Sequence, residues 1–151
     1  MAFRFRLAPV LRLRKRVEDV RKLGLAAAAR TRDAAARRRG ELERHTATCR
    51  DTLFVTGRAG ATGGALRSLA DAVDASSRWT AAAGERLASE ESRVVAARKD
   101  LTKAAQERRT IERLGEIGRA LWERESRGVE QRQLDDLAAV YHRWRQVEER
   151  S

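Results

Sequence analysis

Proline, cysteine, aromatics and long apolar runs are all scarce in this 151-residue chain. It has one proline, Pro9, and one cysteine, Cys49, and aromatics make up only 5% of it. So few large apolar side chains argue against a thick globular core. A lone cysteine permits no internal disulfide and suggests a reducing compartment. No apolar run reaches the 18 residues a membrane-spanning helix needs, so none is expected. Arg12 to Arg16 interrupts any apolar stretch after Arg4 and Arg6, so no secretory leader is expected either.

Reactive constellations are missing as well. The stretch Gly57 to Gly64 holds four glycines, but lacks the Lys-Ser/Thr of a phosphate loop and follows no predicted strand. His45 and His142 have no Cys or acidic neighbours at metal-ligand spacing. Cys49 sits where a small apolar filler would sit in a helical seam. Carboxylates such as Glu112 and Glu116 lie near Arg108 and Arg119 at helical spacing, as on a solvated helix face. These absences predict no enzyme, no metal, no cofactor and no small-molecule substrate.

What is present is Ala, Leu, Arg and Glu, the composition of coiled coils and long helices. The net charge is +11, and it is uneven. Residues 1–56 carry 15 basic and 6 acidic groups, a balance of +9; residues 57–151 carry 18 and 16, a balance of +2. Arg12, Arg14, Lys15, Arg16, Arg21 and Lys22 form one basic cluster and Arg37 to Arg39 a second. Such charge favours an acidic protein surface, a phosphate backbone or an anionic membrane face. A nucleic-acid-binding module and base-stacking aromatics are lacking, which argues against nucleic acid and leaves it as the alternative reading. Phe3, Phe5 and Leu7 beside the first cluster leave a peripheral membrane contact open as an accessory property.

Periodicity gives the fold. Helix 1 is expected over about residues 9–56, with Pro9 tolerated in its first turn. Val10, Leu13, Val17 and Val20 suggest an a/d seam, broadened by Leu11 and Leu25. Small residues follow at Ala27, Thr31, Ala34 and Ala35, then Leu42, Cys49 and Leu53. A glycine-rich turn is expected at about 57–64, because Gly weakens a helix interior and reaches positive φ. Helix 2 is expected over about 65–149. Val73, Thr80, Leu87, Val94 and Leu101 fall seven apart. Leu69, Ser76, Ala83, Glu90, Ala97, Ala104 and Ile111 fill the companion positions. Ser76, Ser77 and Gly84 are candidate break points, and loose packing is expected near Ser76, Thr80 and Glu90. The fold class is therefore all-α, a single-domain antiparallel two-helix coiled-coil hairpin with the second helix longer. At 1.5 Å per residue the arms are about 70 and about 125 Å, so helix 1 runs out of partner near residue 112. The overhang carries Ile117, Leu121, Trp122, Val129, Leu134, Leu137, Val140, Tyr141, Trp144 and Val147. An overhang is favoured over a three-helix bundle folded back at Gly115, Gly118 or Gly128.

The termini carry a family resemblance. Phe3-Arg4-Phe5-Arg6-Leu7, Val10-Leu11 and Leu13-Arg14 resemble the F-x-F-x-L-x-x-V-L-x-L-R opening of the FliJ family. Glu130 and Gln133 to Ala138 resemble that family's E-x-x-x-L-D-E-L-A ending, with Asp136 in place of Glu. The resemblance implies a non-enzymatic coiled-coil stalk of the bacterial flagellar type III export apparatus. It further implies binding to the export ATPase hexamer, whose assembly such stalks promote, to the cytoplasmic domain of the export gate, and to export chaperones. It places the protein in the cytoplasm, peripheral to the membrane at the flagellar base. The equivalent stalk of an injectisome remains open. Candidate partner-binding residues are Phe3, Phe5, Leu7, Arg12, Arg14 and Arg16 at one end, and Leu134, Asp135, Asp136 and Leu137 at the other.

Overall fold

Sequence rich in Ala, Leu, Arg and Glu propagates as helix until something stops it, and in this chain one short segment does. The computed structural model describes residues 3–148, and the side chains at 143, 144 and 146–148 fall outside that description. The expected helix end at 149 and the side chains of Trp144 and Val147 therefore lie outside the described residues. Helix α1 spans Ala8–Arg58 and helix α2 spans Gly63–Glu148. They pack against each other as an all-α hairpin with the second helix longer, and no strand occurs among the described residues. The pairing is antiparallel, since partner numbers run in opposite directions: Arg21 meets Asp100 and Thr46 meets Thr80.

The reversal is tighter than the glycine count suggests. Only residues 59–62 leave helical conformation; Gly57 belongs to α1, and Gly63 and Gly64 open α2. Gly60, with φ of 82°, is the one glycine at positive φ. Its N–H donates to the Gly57 carbonyl at 3.3 Å, and the Ala61 N–H donates to the Thr56 carbonyl at 3.4 Å. That pair of bonds is a Schellman stop, which satisfies carbonyls the ended helix would orphan. Thr62 then caps α2: its hydroxyl accepts from the Ala65 N–H at 3.4 Å. Two caps back to back make the turn, so the remaining glycines are free to be helical.

The chain divides into two compact units, one of residues 17–104 and one of residues 1–16 with 105–151. Within the first, α1 buries Glu18, Ala35 and Thr46, and α2 buries Ser76, Glu90, Val94 and Ala104. Leu69, Val73, Thr80, Leu87, Ala97 and Leu101 are half-buried at the intervening positions. This is the register expected for α2. The seam accepts its polar members because each finds a local partner. Thr46 donates to the Leu42 carbonyl at 2.8 Å, Ser76 to the Val73 carbonyl at 3.0 Å and Thr80 to the Ser76 carbonyl at 3.0 Å. Thr46 and Thr80 also meet across the seam at 3.0 Å. Glu90 receives Arg93 at 3.0 Å, and Glu18 receives Lys22 at 3.0 Å. Contact with Glu18, and then Asp19, holds the Lys22 ammonium above its ordinary pKa. Satisfied hydroxyls keep α2 unbroken through Ser76, Ser77 and Gly84. The void is elsewhere: about 260 Å³ lies beside Ala34, Ala35 and Ala83, where the helices face each other with methyl groups and Thr31, Arg38 and Arg86 form the rim. Arg32 Nε is enclosed 3.0 Å from Asp33 Oδ1, close enough for an ion pair but misaligned for a hydrogen bond.

The register expected for the start of α1 is corrected. Leu13 and Val20 are 59% and 64% exposed and Val10 is also exposed, whereas Leu11, Arg14 and Glu18 face inward. Ala27, Thr31 and Ala34 are likewise exposed; the expected Ala35 is buried, and Ala28 and Arg32 are half-buried in phase with it. A continuous helix keeps one 3-4 register unless residues are inserted. Leu25, Leu42 and Leu53 are half-buried in that register, and counting back by sevens from Leu25 lands on Glu18 and Leu11. The apolar run Val10-Leu13-Val17-Val20 is the richer stripe, but it is one position out of phase.

In the second unit the α2 seam continues at Ala105, Arg108, Ile111, Gly115, Gly118 and Trp122. Helix α1 itself runs out near residue 112, and the non-helical segment of Phe3 and Phe5 carries the cover on to Trp122. From Val129 to His142 every residue is exposed. Helix α2 passes through Gly115, Gly118 and Gly128 without folding back, so the bundle alternative has no third helix among the described residues.

Adjacent valines test the register. Val94→Ala, at a buried seat, should lower unfolding free energy by about 1–2 kcal/mol, while Val95→Ala should change it by under about 0.5 kcal/mol. Urea denaturation followed by circular dichroism reads both. Ser76 is only 1% exposed, so Ser76→Leu should cost about 1–3 kcal/mol by overpacking, even though it makes the heptad more apolar.

Candidate interaction site

Residues 3–5 precede α1 in non-helical conformation and Arg6-Leu7 turn into the helix. An alternating sequence in extended backbone sends successive side chains to opposite sides. Phe3 and Phe5 are half-buried against α2, and Arg4 and Arg6 are exposed. The face that receives them is cut back to backbone by two glycines three residues apart. A Cβ on Gly115 would lie 3.3 Å from the Phe5 ring, and one on Gly118 would lie 3.6 Å from the Phe3 ring. One turn further, Trp122 meets Phe3 with ring centroids 6.1 Å apart and planes tilted at 47°, a favourable aromatic geometry. A cleft of about 370 Å³ between Phe3, Phe5, Leu11 and the Glu112–Arg119 stretch borders this contact. The aromatic side of the motif thus closes the hairpin's open end.

Charge pairing follows the same segment. Arg14 donates to Glu107 at 2.6 Å, and Lys15 lies 3.6 Å from Glu112, which Arg108 also contacts. These pairs are partly exposed, each of modest energetic weight, but they align α1 with α2. Arg12 and Arg16 are exposed and make no ion pair among the described residues. Beyond Val129 the surface is apolar and charged in turn: Leu134 and Leu137 are 61% and 67% exposed, and Val140 and Tyr141 are exposed beside them. Asp135 accepts from Gln131 at 2.9 Å, and Asp136 is exposed.

All ten expected site residues fall in the unit of residues 1–16 and 105–151. They divide by environment. Phe3, Phe5 and Arg14 are engaged within the molecule; Leu7, Arg12, Arg16, Leu134, Asp136 and Leu137 face solvent. No hydrogen bond, ion pair or ring contact joins the N-terminal group to residues 134–137 among the described residues. Gly115, Gly118 and Trp122 were not among the expected site residues. Their signal was the 3-4 spacing running on from Ile111, which the glycines disguise as a break. No group of three or more His, Cys, Asp or Glu able to hold a metal occurs among the described residues. His45 Nδ1 and Cys49 Sγ are 3.3 Å apart on one face of α1. No helix among the described residues is long and apolar enough to cross a membrane.

Comparison with known proteins agrees with this geometry. In a search of solved structures, the chain is similar to CT670 from Chlamydia trachomatis, described as a YscO homolog. The TM-score is 0.58 at 19% identity, over 96% of this chain and 98% of that one. At that identity the likeness establishes the shared fold. No curated protein sequence matches. The family model described as flagellar FliJ protein matches residues 3–147, from the aromatic motif to the last described turns of α2, and the chain therefore belongs to the FliJ family.

Proposed function

We propose that this chain is a non-enzymatic stalk of the flagellar type III export apparatus. In this reading it binds the export ATPase hexamer, promotes its assembly, and meets the cytoplasmic domain of the export gate and export chaperones. It works in the cytoplasm at the inner membrane face. The observation that carries the reading is the exposed apolar face of α2 beyond the hairpin's cover. Val129, Leu134, Leu137, Val140 and Tyr141 are all exposed there, on a chain whose family match extends to residue 147. An unpartnered apolar stripe on a helix is the usual form of a docking surface. The likeness to a YscO homolog supports a second reading, the equivalent stalk of an injectisome. The gene neighbourhood separates the two.

Two measurements test the proposal. The purified export ATPase should hydrolyse ATP faster, and sediment more as hexamer, when this protein is added. Absence of both effects, together with no retention of the ATPase in a pull-down, contradicts the stalk role. Leu134→Ala with Leu137→Ala should weaken partner binding by about tenfold or more, the loss expected of interface anchors, with far-ultraviolet circular dichroism unchanged. A loss of helicity in that variant would instead make the two leucines structural.

A further inference from the structure

The basic residues near the start of α1 fall into two kinds. Arg14 and Lys15 face Glu107 and Glu112, and Lys22 is held by Glu18 and Asp19. In the second cluster Arg38 pairs with Glu41 and Arg39 with Glu43. Arg4, Arg6 and Arg12 make no ion pair among the described residues, and all three are exposed. They also line one open concavity of about 870 Å³, walled by Phe3, Phe5 and Pro9. The packing explains why they converge. With Phe3 and Phe5 seated on Gly115 and Gly118, the alternation of the motif turns Arg4 away from α2. The turn at Arg6-Leu7 and the first turn of α1 then bring Arg12 to the same hollow.

We propose that Arg4, Arg6 and Arg12 form a binding site for an acidic segment of a partner protein, with the guanidinium groups receiving two or more carboxylates. Guanidinium forks match carboxylates in bidentate geometry, and an arginine left unpaired in a chain that pairs its neighbours keeps that capacity. A lipid surface fits less well. The motif's two aromatics are turned onto α2, which leaves only the partly exposed Leu7 and Val10 as apolar anchors beside a small basic patch, a weak attachment to a bilayer. Nucleic acid also fits less well, because the aromatics at the hollow, Phe3 and Phe5, are half-buried with their rings packed on Gly115, Gly118 and Trp122 rather than free to stack on bases. Phe5 and Gly115 act as positioning residues, since the seating of the Phe5 ring on Gly115 fixes the segment that carries Arg4 and Arg6. The site stands on this geometry whether or not the chain is an export stalk.

The test uses the full chain and a fluorescein-labelled deca-glutamate peptide, read by anisotropy at low and physiological salt. Exposed ion pairs are worth roughly two- to fivefold each. R4Q/R6Q/R12Q should therefore weaken peptide binding by about tenfold or more, and R37Q/R38Q/R39Q, with the same change in net charge, by less than about twofold. Gly115→Leu, which alters no charge, should also weaken binding by displacing Phe5, with helicity retained by circular dichroism. Equal losses in the two triple variants would show that net charge alone attracts the peptide and would overturn the proposal. If R4Q/R6Q/R12Q spares the peptide but lowers binding to phosphatidylglycerol vesicles or to duplex DNA, the site serves phosphate and the proposal falls. Full binding by Gly115→Leu would overturn the positioning role.

Discussion

The contact between two helices along a seam of small side chains is the constraint on which the structure depends. Ala35, Ser76, Thr46 and Ala104 are among its most buried members, and none is large. Small seats let helices approach closely, but each contributes little buried area, so stability must come from length and unbroken register. That explains why the hydroxyls in the seam are bonded back to their own helix: an unsatisfied polar group would cost more than such a seat returns. It also explains the two-cap turn, which reverses the chain in four residues and keeps both helices in phase from their first turns.

The same economy of side-chain volume shapes the far end. Where α2 offers Gly115 and Gly118, helix α1 has ended, and the seam would be left with bare backbone. Two phenylalanines supplied by a non-helical segment fill that space. The F-x-F motif is thereby explained by packing before any partner is considered. Its alternation has a second consequence, because a segment that points aromatics inward must point its arginines outward. Net charge overstates how cationic this protein is to a partner, since Arg14, Lys15, Arg21 and Lys22 have carboxylate neighbours. What distinguishes Arg4, Arg6 and Arg12 is convergence without a counterion.

Much of this was legible in the residues. The heptads of α2 from Leu69 to Ile111 read directly, because seven-residue spacing survives even where the seat is Ser76 or Glu90. The register of α1 did not read, because apolar residues outside the seam, Val10, Leu13 and Val20, outnumber those inside it at that end. Local hydrophobicity misleads where the opposing helix presents Glu107, Asp100 and Glu112, which favour Arg14, Arg21 and Lys15 across from them. Glycine misled twice: Gly57, Gly63 and Gly64 looked like turn but are helix, and Gly115 and Gly118 looked like a break but are a seat for rings. In both cases the deciding factor was a neighbour in space, a cap or an aromatic side chain, that spacing along the chain does not reveal. At Leu134 and Leu137 the sequence identified the segment, and the structure added that both side chains face solvent.

The seam of α2 closes at Trp122, where Phe3 ends its cover, and Val129 to Tyr141 continue as exposed helix. Protection from solvent exchange follows packing, and helix without tertiary contacts opens readily. Amide hydrogen exchange on the monomeric protein, resolved by segment, measures this directly. Slow exchange is expected from Leu66 to Trp122, and exchange faster by at least about a hundredfold from Val129 to Tyr141. Uniform slow exchange through Tyr141 in a protein shown to be monomeric would contradict this closure.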